Sequence, residues 1–114
     1  MTGGGGSGQR PSISRLADLR VVVERVEGRP VCGLQPGDSF SVTGSSRLSI
    51  PDGGHFCLYA LAAVLPLLPA KQRIPADGDW LATDIEVACP DPEERLVMRI
   101  ETGSIRDLPT EDLT

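Results

Sequence analysis

The chain has 114 residues, 39% hydrophobic but only 4% aromatic, with a formal net charge of −5. That length fits one small domain with a mostly aliphatic core and leaves little for a second. Its 11 Lys and Arg are scattered among 16 Asp and Glu, which argues against nucleic acid and against an anionic membrane as partners, because both need clustered positive charge.

The opening MTGGGGSGQRPS has no apolar segment of a secretory signal, so the expected compartment is the cytoplasm. Residues 1–17 read as a flexible, Gly-rich tail. "LRVVVERV" from Leu19 to Val26 is β-branched and bounded by Gly28 and Pro30, which predicts a strand with Leu19, Val21 and Val23 on one face. "PGDSFSV" gives a turn at Asp38 and a short strand carrying Phe40 and Val42 inward, and "RLSI" from Arg47 continues the meander. "PDGG" from Pro51 breaks it.

From Gly53 to Ala70 the chain carries no Asp, Glu, Lys or Arg. Cys57, Ala60, Leu61, Val64 and Leu65 share one helical face, predicting a helix from Phe56 to about Leu65 that Pro66 ends or kinks. The apolar run is shorter than the ~20 residues a bilayer needs and is broken by prolines. A helix apolar all round is covered on more than one side. The loop from Pro66 to Leu81, a second copy of the chain and an apolar ligand are the three candidates for that cover. Further on, Ile85, Val87 and Cys89 alternate, then Leu96, Met98 and Ile100. The short link between them predicts an antiparallel hairpin. Residues 103–114 read as a polar tail. The expected fold is α+β: a small, mainly antiparallel sheet packed on one central apolar helix, within a single domain at 18–102.

Three cysteines cannot complete a set of intramolecular disulfides, and a reducing compartment would keep them as thiols, ligands or core residues. Cys57 lies at the helix start, where free N–H groups favour a thiolate. His55 lies two residues before it, and the two work as nucleophile and base only if His55 precedes the helix. Asp91 and Tyr59 are further candidates for such a site. Phe56, Leu61 and Trp80 are candidates for lining an apolar pocket. Cys32, Cys57 and Cys89 with His55 make a possible ligand set for zinc or iron. Yet spacings of 25 and 32 residues give no Cys-x-x-Cys knuckle, and simple packing of the cysteines remains open.

"VVVERVEGRPVC", "GDSFSV", "GGHFCLYALAAVLPLL" and "ACPDPEERLVMRI" together resemble a family of small, functionally uncharacterised prokaryotic proteins. Those read as a strand, a first cysteine leading to Gly–Asp–x–Phe, a helix carrying a second cysteine, and a late Cys–Pro–Asp–Pro before a final strand. The likeness runs from Leu19 to Ile100. It places the family's cysteines at Cys32, Cys57 and Cys89, and its other marks at Gly37, Asp38, Pro90, Asp91 and Pro92. A histidine of the family's first segment is missing here, where Leu34 and Gln35 stand. The resemblance implies the fold and a shared cysteine site; it implies no established activity.

Three functions fit these residues. One is a small enzyme or enzyme-like protein acting on a small, largely apolar molecule in a pocket along the helix. The others are a non-catalytic binding or accessory module that dimerises through the helix, and a cysteine-ligated metal-binding protein.

Overall fold

A computed structural model describes residues 12–114; the first eleven residues of the expected tail lie outside the described residues. Five strands form one antiparallel sheet: β1 (Ile13–Val26), β2 (Ser39–Thr43), β3 (Arg47–Ser49), β4 (Ile85–Ala88) and β5 (Leu96–Pro109). Their spatial order is β3-β2-β1-β5-β4, so the last strand inserts beside the first. The helical segment is continuous: α1 (Leu58–Val64), a 3₁₀ turn at Leu65–Leu67, then α2 (Leu68–Gln72).

The alternation seen in the sequence sets the register. Val21 sits between Phe40 on β2 and Ile100 on β5, and Ile100 faces Ile85 on β4. One residue in two therefore points to the same side, where Leu19, Val21, Val23, Phe40, Ile85, Met98 and Ile100 are buried. The helix covers them with Ala60, Val64 and Leu68, spaced four apart along one helical face. The predicted α+β architecture is the observed one.

The opposite face is charged. Arg99 pairs with Glu24 and Glu101, Arg20 with Glu101 at 3.0 Å, and Arg25 with Glu86 at 3.2 Å. Such exposed pairs add little stability individually, but they keep this face wet.

Three expectations change. First, strand pairing crosses both domain boundaries: Ile13 faces Pro109 and Ala17 faces Ile105. Residues 103–109 are thus strand rather than tail, and the end of the chain folds back, with the Thr114 N–H donating to Ser45 Oγ at 2.8 Å. A register shift between Ala17 and Leu19 breaks the simple alternation that would have revealed the full strands; a second lies between Val23 and Arg25, inside the predicted stretches. Second, the helix extends past the expected end near Leu65: of the two outcomes expected at Pro66, ending or kinking, it does not end there but passes through the 3₁₀ turn that contains Pro66 and resumes as α2. The continuation is held by its own side chains. Buried Lys71 donates from Nζ to the carbonyls of Leu81, at 2.9 Å, and Thr83, and buried Gln72 donates to those of Ala17 and Gly44. Third, the 66–81 segment does not cover the outer side of the helix. Leu58 is 76% exposed, Tyr59 69% and Trp80 61%. Among the described residues no helix is long and apolar enough to cross a membrane.

Candidate metal centre

Beyond Val26 the chain stays paired for three more residues. The N–H groups of Glu27, Gly28 and Arg29 donate to the carbonyls of Arg95, Glu94 and Glu93 at 2.9–3.0 Å. The approach is so close that a Cβ on Gly28 would lie 2.1 Å from the Glu93 carbonyl oxygen and 2.8 Å from that of Glu94. Only glycine fits. The partner segment is a tight turn: Asp91 accepts from the Glu93 N–H through Oδ1 and from the Arg95 N–H through its carbonyl. Arg95 closes it with a left-handed backbone, φ 45°. This geometry buries Glu94 to 1% exposure.

Pro30 starts the next turn, closed by the Gly33 N–H on the Pro30 carbonyl at 3.1 Å, with Gly33 at φ 81°. Cys32 lies inside it and faces Glu94. Both the Cys32 N–H and its thiol donate to Glu94 Oε2 at 2.9 Å. From the other side comes Cys57, the residue that caps α1. Its extended backbone and lack of a side-chain cap bond leave the sulfur free of the helix end. The Cys32 and Cys57 sulfurs and a Glu94 carboxylate oxygen all lie within 4.8 Å of one another. Ligand atoms on a tetrahedral zinc stand about 3.5–3.8 Å apart, so no pair in the set, at 4.8 Å or less, is more than about 1.3 Å too wide.

Two features set the chemistry of this cluster. Glu94 Oε1 is buried and, among the described residues, has no hydrogen-bond partner; such an orphan is rare because it forfeits solvation without return. And the Cys32 thiol is pushed up from 9.0 to about 12, first by burial and then by its hydrogen bond to Glu94. It stays protonated at neutral pH unless a cation displaces the proton.

The other candidates fall around this centre. Cys89 is buried at the end of β4, its N–H on the Leu96 carbonyl at 2.8 Å. It lies outside the mutually close set, but burial and then the charges of Cys57, Glu94 and Asp91 raise its thiol. His55 precedes the helix, as a Cys–His pair would require, but its Nε2 meets the Cys32 carbonyl at 2.9 Å. It braces the Cys32 turn and lines a surface hollow of about 470 Å³ with Asp38, Asp52 and Gly54. Tyr59 and Asp91 line a second hollow of about 300 Å³ with Pro90. Phe56 packs edge-on against Phe40, ring centroids 4.8 Å apart, and Leu61 packs against the core. Trp80 stands exposed on a 3₁₀ turn that Asp79 caps through the Leu81 N–H at 2.8 Å. The structure thus joins two of the three cysteines and brings Glu94 to them in place of His55; no motif in the chain singles that glutamate out. No family model, curated protein or solved structure matches the chain.

Proposed function

We propose that this protein binds a single thiophilic divalent ion, zinc foremost, through Cys32 Sγ, Cys57 Sγ and a Glu94 oxygen. The observation that carries the reading is the buried Glu94 carboxyl, with one oxygen unpartnered and two thiols within 4.8 Å. Sulfur donors select soft or borderline metals, and zinc accepts a carboxylate beside them. Glu94 Oε2 would keep the Cys32 N–H while Oε1 is offered to the ion.

Three protein ligands leave a fourth position for solvent or substrate, the pattern of catalytic rather than structural zinc. Cys32 and Cys57 are only half-buried, so a small molecule has access to the ion. The hollow lined by Tyr59, Pro90 and Asp91, residues near Cys57 and Glu94 in the chain, is the candidate seat for a small, largely apolar substrate on which a bound ion would act as a Lewis acid.

The test is metal content by mass spectrometry after purification without chelator, followed by zinc titration of the stripped protein. One ion per chain is expected. Glu94→Gln should weaken it at least tenfold, whereas Cys89→Ser should change affinity little. Absence of retained metal, together with equal weak affinity in the wild type and Glu94→Gln, sinks the reading. A large loss in Cys89→Ser alone would instead make Cys89 the fourth ligand and close the site.

A further inference from the structure

We infer that Cys32 and Cys57 also form a reversible intramolecular disulfide when a hydroperoxide reaches them, and that this bond excludes the metal ion; the second half rests on the metal reading above. The two sulfurs already lie within 4.8 Å, and a disulfide needs about 2.05 Å. Closing the gap calls for side-chain rotation and small loop movements. Neither residue sits inside a regular element: Cys32 occupies the Pro30–Gly33 turn and Cys57 the extended residue before α1. Both are half-buried, within reach of a small oxidant, whereas Cys89 is buried and fixed by its ladder bond to Leu96.

The chemistry balances without any group beyond the oxidant. One thiol, as its thiolate, attacks the peroxide oxygen; the O–O bond breaks, an alcohol (or water, from hydrogen peroxide) leaves, and a sulfenic acid forms. The second thiol attacks that sulfur; the S–S bond forms, the S–O bond breaks, and water leaves. Two thiols are oxidised and one peroxide is reduced. Its hydrogen bond to Glu94 assigns the Cys32 thiol the second step. There Glu94 Oε2, already accepting the S–H at 2.9 Å, is placed to take the proton. Once the bond has formed, Glu94 is the sole anionic donor left in the set, too few to hold zinc.

The experiment treats chelator-stripped, full-length protein with hydrogen peroxide and maps the peptides without reduction. A Cys32–Cys57 link is expected, reversed by dithiothreitol, retained in Cys89→Ser and lost in both Cys32→Ser and Cys57→Ser. A Cys57–Cys89 link, an intermolecular link, or overoxidation without any link overturns the proposal. In parallel, zinc-loaded protein is oxidised in the presence of a chromogenic chelator, with one zinc expected to be released per disulfide formed. Zinc binding without the disulfide refutes this inference and spares the metal reading. The disulfide in a protein that never binds zinc refutes the metal reading and, with it, the exclusion step.

Discussion

Glu94 takes two hydrogen bonds on one oxygen, both from Cys32, and none on the other among the described residues. That imbalance sets the pH behaviour of the centre. An ion must displace the Cys32 proton, and the thiol holds it up to about pH 12. Zinc affinity should therefore rise about tenfold per pH unit for each proton displaced, measured by competition titration between pH 6 and 8; a flat profile would remove Cys32 from the ligand set. In the metal-free protein the sign is opposite. The folded thiol keeps its proton longer than the unfolded one, so its contribution is complete below the ordinary value of 9.0 and is lost as pH rises from there towards about 12. Denaturant midpoints of the stripped protein should fall across that interval, and Cys32→Ser should flatten the fall. At this scale the sequence was half legible. Cysteines announce themselves, but spacings of 25 and 32 do not say which two meet. Glu94 sits in Pro-Glu-Glu-Arg, a string that reads as a solvated turn. Its backbone lies against Gly28 and its carboxylate against Cys32, 62 residues away in the chain, and no local side-chain pattern records such contacts.

The strands and helix were legible where periodicity survived. Leu96, Met98 and Ile100 alternate and are all buried; Ala60 and Val64 repeat at helical spacing. What escaped was extent. A register shift between Ala17 and Leu19 hides the outer halves of β1 and β5, and the helix beyond Pro66 is held by Lys71 and Gln72, polar residues that periodicity assigns to solvent. Two substitutions test these supports. Gly28→Ala places a methyl against two carbonyl oxygens, and should cost about 1–3 kcal/mol as overpacking does. It should also weaken zinc binding, because the turn that must shift carries Glu94. Normal affinity in a destabilised Gly28→Ala protein would separate the turn from the site. Lys71→Met leaves the carbonyls of Leu81 and Thr83 without their donor. A loss of about 1–3 kcal/mol is expected, read from denaturant midpoints, with proteolysis appearing first within residues 78–84.

As a whole molecule, the protein offers one charged sheet face, one helix-covered face, and an exposed apolar group at Leu58, Tyr59, Leu65 and Trp80. A ligand that binds only the folded form stabilises it by about 2.7 kcal/mol at a hundredfold excess over Kd. For a domain of this size that raises Tm by about 10 °C or more. Zinc should produce such a shift in thermal unfolding, chelation should reverse it, and Glu94→Gln should abolish most of it; identical melting curves with and without zinc would count against the centre. The sheet order β3-β2-β1-β5-β4 also governs when the molecule becomes itself during synthesis. β5 follows the other four strands in the chain and fits between the first of them and β4, and Glu94 lies just before it. A ribosome-bound chain still short of residue 94 has the sequence of its first four strands and both half-buried cysteines, yet neither β5 to close the core nor a third donor. Maturation is therefore late: nascent chains arrested before β5 emerges should be open to protease and retain no metal, whereas chains arrested after it has cleared the exit tunnel should have gained both protections in a single step.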